Sequence, residues 1–161
     1  PFEDLCLDLV DIVSVNCYPG WYGSEIAKIP EEIDRIVAAL DTTDDGHPSE
    51  GTVIPAGKPL IISEIGAGAI YGWRDWHAAR WSEQYQVELL ETVIRHLFET
   101  SSRFAGLAIW QFCDIRSSEM VQKILGRPGG FNNKGVVDAY RRPKQAYQAV
   151  KRAFTALRKT D

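Results

Sequence analysis

Cysteine is scarce: Cys6, Cys17 and Cys113 are an odd number, and none is close enough to another for a C-x-x-C metal or redox pair. The expectation is small, reduced cysteines packed among apolar neighbours in a cytoplasmic protein. Long apolar runs are also missing, since nothing approaches the roughly 20 residues of a membrane span. Nor does a basic segment followed by an apolar one open the chain, which begins at Pro1 without a methionine and so predicts further polypeptide upstream. An excess of positive charge is absent too. The net charge is -4, and basic residues gather only between Arg141 and Lys159, which disfavours a nucleic-acid partner. The three histidines, His47, His77 and His96, lack a metal-ligand spacing, so no metal is expected.

What remains is a globular composition, with 45% hydrophobic and 25% charged residues among 161, enough to bury one core. Asp11 to Tyr18 (DIVSVNCY) is a β-branched run that turns polar at Asn16 and Tyr18 before Pro19-Gly20, which predicts a buried strand entering a loop. From Pro30, with Glu31 and Glu32 in the first turn, Ile33, Ile36, Val37 and Leu40 recur at helical spacing. Residues 41–57 have no period and are rich in Asp, Thr, Gly and Pro, which predicts an exposed, mobile insertion.

Pro59 to Gly66 (PLIISEIG) is continuously apolar until Glu64, the composition of a strand covered on both faces. Ser82 has the character of an N-cap for a helix to about Ser101, with Tyr85, Leu89, Leu90, Val93, Ile94, Leu97 and Phe98 on one face. A third strand is predicted over Gly106 to Phe112 and a last helix over roughly Lys144 to Arg158, carrying Ala146, Tyr147, Val150 and Phe154.

Strand and helix therefore alternate three times, which calls for an α/β fold with parallel strands and helical crossovers. A doubly wound sheet and a (β/α)8 barrel both satisfy the pattern, and three units alone cannot close a barrel. The balance tips to the barrel because each strand ends in polar or ionisable residues: Asn16 and Tyr18, then Glu64, then Trp110, Gln111 and Asp114. In a barrel those ends converge on one site.

Glu64 is the most telling of them. A carboxylate closing an apolar strand must be solvated, paired with a cation at the rim, or used chemically. A retaining glycosidase uses two carboxylates about 5 to 5.5 Å apart, of which the sequence shows one.

At this point a resemblance becomes specific. ISEIG at 62–66 resembles the I-[ST]-E-x-G strand end of family 2 glycoside hydrolases, and NCYPGWY at 16–22 the N-x-Y-x-G-W-Y segment of their β-glucuronidase-like members. WSEQYQ at 81–86 resembles W-S-E-E-Y-Q, and IWQFCD at 109–114 resembles V-W-N-F-A-D. GGFNNKG at 129–135 and RRPK at 141–144 resemble G-G-N-x-K-G and R-K-P-K. The likeness runs over about residues 3–158 apart from the insertion.

It implies that residues 1–161 are the last three βα units of a (β/α)8 barrel from a retaining β-glucuronidase-like enzyme with no cofactor. Glu64 would be the nucleophile, Tyr18 the hydroxyl that orients it, Asn16 part of the site wall and Trp110 the aromatic floor. Asn132 and Lys134 would hold the substrate's C6 carboxylate. The physical logic of that pair is direct, because an ammonium and an amide donor complement a uronate, whereas a neutral sugar leaves the lysine unpaired. The plain alternative is a solvated turn, for which Asn-Asn-Lys-Gly is also suited.

The partner would be a small-molecule glycoside, the whole enzyme a homo-oligomer, and the acid/base carboxylate would lie outside these residues, leaving the chain inactive alone. Departures from the pattern at Cys17, Ile65 and residues 116–128 bear on aglycone choice; Trp73 and Trp76 could form an aglycone platform or pack a lid. A family 2 β-galactosidase, and a non-catalytic carbohydrate-binding α/β module, are the alternative readings.

Overall fold

A computed structural model describes residues 9–40, 58–100, 103–117 and 126–157. The insertion expected over 41–57, with His47, lies outside the described residues. The fold is mixed α/β. Its elements are β1 (Val13–Asn16), α1 (Ile29–Leu40), β2 (Leu60–Ile65), α2 (Glu83–Thr100), β3 (Phe104–Ile109), β4 (Ile115–Arg116), β5 (Phe131–Asn132) and α3 (Gln145–Leu157).

The three longer strands form one parallel sheet in the order β1-β2-β3, with helices in the intervening sequence, as the alternation predicts. β4 and β5 form a separate antiparallel pair, with Ile115 opposite Asn132. In the main sheet Val13, Ser14 and Val15 face Leu60, Ile61 and Ile62, and a register shift then sets Asn16 beside Glu64. The sequence period therefore places two polar strand ends side by side.

The core lies between this sheet and the helices. Val13 and Val15 of β1, Leu60, Ile62 and Ile65 of β2, Ile29 and Ile33 of α1, and Leu89, Leu90, Val93 and Leu97 of α2 belong to one buried cluster. Burying such a side chain contributes about 1.5–3 kcal/mol each, and truncating Ile62 to Ala would forfeit roughly 2–5 kcal/mol. β2 is covered unequally, however. Leu60, Ile62 and Ile65 are buried while Ile61, Ser63 and Glu64 are only half-buried, so the expectation of a strand enclosed on both faces holds fully for one face alone among the described residues.

Helix boundaries follow local chemistry. Ser82 Oγ accepts the Tyr85 N–H at 3.1 Å, the expected N-cap of α2. Glu83, almost fully buried, accepts from Gly72 N–H (2.6 Å) and from Gln145 N–H at the start of α3 (2.7 Å). One carboxylate thus ties α2, the loop after β2 and the positive end of α3.

β3 differs from expectation. It begins at Phe104 and ends at Ile109, before Trp110. Trp110 N–H still bonds Ile65 O at 2.7 Å, but the chain then changes partners: Gln111 N–H donates to Lys134 O, and Val136 and Val137 N–H donate to Gln111 O and Phe112 O. The apolar run continues while the sheet does not, because its last residues pair with the 134–137 segment. Among the described residues no helix is long and apolar enough to cross a membrane.

Candidate active site

The β1 and β2 ends bring the first group together. Tyr18 OH donates to Glu64 Oε2 at 2.8 Å, and Ser63 Oγ donates to Asn16 Oδ1 at 2.7 Å, leaving the Asn16 NH2 as its remaining donor. Burial, then the hydrogen bond and negative field of Glu64, push the Tyr18 phenol well above its ordinary value, so it stays a neutral donor. Gly66 lets the β2 end approach β3: a Cβ there would stand 2.0 Å from Trp110 O. Trp110 is partly exposed beside it, and the Trp110–Gln111 peptide bond is cis.

A second group forms around Lys134, only 5% exposed. Its Nζ donates to Tyr22 OH at 2.8 Å and lies 4.7, 5.0 and 5.2 Å from the ring centres of Tyr22, Tyr18 and Trp21. Three aromatic faces thus replace part of the water an ammonium would otherwise keep. Burial lowers the Lys134 pKa below the ordinary lysine value, and the Tyr22 oxygen and the Glu64 charge offset only part of that. The Tyr22 phenol is raised by burial but lowered more by Lys134 and Arg127, and ends below its usual value. Glu64 and Lys134 therefore share one electrostatic environment.

Asn132, half-buried in β5, accepts the Lys134 N–H on Oδ1 at 3.4 Å, and its carbonyl accepts from Gln111 Nε2 at 3.3 Å. Beside Lys134 opens a cavity of ≈ 430 Å³ lined by Trp21, Tyr22, Arg80, Trp81, Arg127 and Lys134. Arg80 is anchored to Trp21 O and Ser24 O and stacks on Trp21, so the wall is aromatic and cationic. Such a wall suits an anion on a small apolar body.

All six residues singled out from sequence are described: Asn16, Tyr18 and Glu64 meet at the β1 and β2 ends, Trp110 follows β3, and Asn132 and Lys134 come in from β5 and the turn after it. Tyr22, Trp21 and Arg127 join these residues without being marked individually by the sequence; three aromatics within six residues of the β1 end (Tyr18, Trp21, Tyr22) are the available signal. Trp73 and Trp76 do not line the cavity beside Lys134, and Trp76 is 96% exposed. His77 is exposed, His96 Nε2 pairs with Asp34 Oδ1 at 2.8 Å, and no cluster that could hold a metal exists among the described residues.

No family model matches the chain. Individual proteins do. It is 28% identical over 157 residues to a β-glucuronidase of Streptococcus agalactiae, which covers 98% of this chain and 24% of that protein. With the β-glucuronidase of Felis catus it shares 31% over 144 residues, 89% of this chain and 20% of the relative. Among solved structures, a GH2 β-galacturonidase from Eisenbergiella tayi bound to galacturonate superposes with a TM-score of 0.77 at 39% identity, covering 95% of this chain and 25% of that one.

These likenesses define the class as the glycoside hydrolases of family 2, matched over a fragment of each relative. Within it, the chain belongs with the β-glucuronidase-like members. It spans between a fifth and a quarter of the length of these relatives.

Proposed function

We propose that residues 1–161 are the last three βα units of a (β/α)8 barrel in a retaining exo-β-glycosidase that hydrolyses β-D-glucuronides. The observation that supports it most is an aromatic-enclosed lysine, Lys134, within the electrostatic reach of the strand-end carboxylate Glu64. Glu64 attacks the anomeric carbon as the glycosidic C–O bond breaks, and the leaving oxygen takes a proton from a carboxylic acid supplied elsewhere in the enzyme. Water, deprotonated by that same group, then attacks the glycosyl ester and releases Glu64. Tyr18 holds the Glu64 carboxylate in one orientation, Trp110 supports the sugar ring, and Asn132 and Lys134 take the C6 carboxylate. No cofactor enters these steps.

A second reading, a β-D-galacturonide as substrate, is favoured by the higher identity to the β-galacturonidase than to either glucuronidase. Both sugars present the same carboxylate to Lys134 and differ only at C4. The test is kcat/KM of the full-length enzyme on 4-nitrophenyl β-D-glucuronide, galacturonide, glucoside and galactoside. A uronide should lead. A neutral galactoside in first place would instead support a β-galactosidase, and no turnover of any would support a binding module.

Glu64→Gln in the same enzyme keeps shape but cannot form the glycosyl ester, so turnover should fall by several decades with folding intact. More than about a tenth of wild-type activity would exclude Glu64 as nucleophile.

A further inference from the structure

The turn that carries Lys134 is held from behind by polar side chains that the proposed chemistry does not use. Gln86 of α2, fully buried, donates Nε2 to Ala67 O (2.9 Å), to Gly135 O (3.1 Å) and, at the longest, to Lys134 O (3.4 Å). Lys144, 1% exposed, donates Nζ to Ala69 O (2.6 Å), Asp114 Oδ1 (2.8 Å) and Asn133 O (2.9 Å). Asp114 Oδ1 also accepts the Gly135 N–H at 2.9 Å, and Ala69 N–H donates to Asn133 O at 2.9 Å. Gly135 is required for this approach, since a Cβ there would stand 2.2 Å from Asp114 N. The residues on either side of Lys134 are thereby fastened to the segment 67–69, which follows Glu64 in the chain.

Stability alone does not account for this arrangement. Burial lowers the Lys144 pKa and raises that of Asp114, each against the charged form, and an apolar replacement of such a pair is often neutral or stabilising. Gln86 Oε1 is buried without a partner among the described residues, an unfavourable state that a leucine would avoid. What the amide provides is a donor that reaches the backbone of both segments at once.

We propose that Gln86, backed by the Asp114–Lys144 pair, is a positioning residue that sets the Lys134 ammonium relative to the Glu64 carboxylate and so sets the preference for uronides. The inference rests on the reading that Lys134 holds the uronate. It makes Gln86 a determinant of specificity without contact to substrate.

The test uses the full-length enzyme as wild type, Gln86→Met, Gln86→Asn, Lys134→Ala and the Gln86→Met/Lys134→Ala double variant. kcat and KM are measured on the preferred uronide and its matching neutral glycoside, with a thermal midpoint for each protein. Gln86→Met removes the donor, and Gln86→Asn withdraws it by one methylene should the first variant not fold. Each should lower the uronide-to-neutral ratio of kcat/KM roughly tenfold, through KM, the loss expected when a charge-assisted contact to the ground-state carboxylate is weakened but not removed. In the Lys134→Ala background the ratio should not fall further. Equal losses on both substrates, or the same fall in ratio without Lys134, would overturn the positioning role alone. An unchanged ratio in Lys134→Ala itself would overturn the uronate reading first, and the inference with it.

Discussion

Tyr18 and Lys134 both sense Glu64, whose charge favours the protonated form of each, yet burial moves their pKa values in opposite directions. That charge helps keep the phenol protonated, while burial makes the ammonium easier to deprotonate than an ordinary lysine. A uronide requires the charged ammonium, so its kcat/KM should fall as pH rises through the lowered Lys134 value, starting before ordinary lysines titrate. A neutral glycoside should lack that limb. Tyr22→Phe removes an oxygen that raises the Lys134 pKa, so it should move the limb to still lower pH. Rate profiles on both substrates between neutral and alkaline pH check this, and coincident profiles would remove Lys134 from the site. Glu64 and Lys134 were legible in the sequence because short linear patterns carry them. The cage around Lys134 was not, because Tyr22 lies 112 residues away and nothing in either segment alone specifies the meeting.

Elements were legible where apolar period and end chemistry agree. α2 is the clearest case, with a buried Ser82 cap and an apolar face from Tyr85 to Leu97. Ser82→Ala should remove about 1 kcal/mol, or roughly 2–4 °C in thermal midpoint for a domain of this size. Calorimetry should find a smaller loss in Ser82→Thr, which keeps a capping hydroxyl, than in Ser82→Ala; equal losses in the two would deny the cap. The β3 boundary differs from the sequence expectation for a physical reason. Residues 106–112 are uniformly apolar enough for a strand, but the backbone of 111–113 finds its partners in 134–137, a long-range choice that composition does not encode.

At the scale of the molecule, the alternation of strands and helices established parallel α/β order, but not closure. β1 and β3 are the outer strands of the described sheet, and Leu9, Ile12, Phe112 and Ile115 are exposed beside or beyond strand ends. Unpaired parallel edges next to exposed apolar side chains favour association with other strands. On the barrel reading, five further strands cover those edges, and one of them supplies the acid/base carboxylate about 5 to 5.5 Å from Glu64. A polypeptide of these 161 residues alone is therefore expected to self-associate and to hydrolyse neither uronides nor neutral glycosides. Light scattering after size exclusion, with an activity assay on material whose Glu64→Gln counterpart sets the host background, tests both halves. A monomer with background activity would spare the three-unit reading of the site but remove the edge argument. Glycosidase activity above that background would show that a complete catalytic pair resides within these residues, which a barrel segment lacking its acid/base cannot provide.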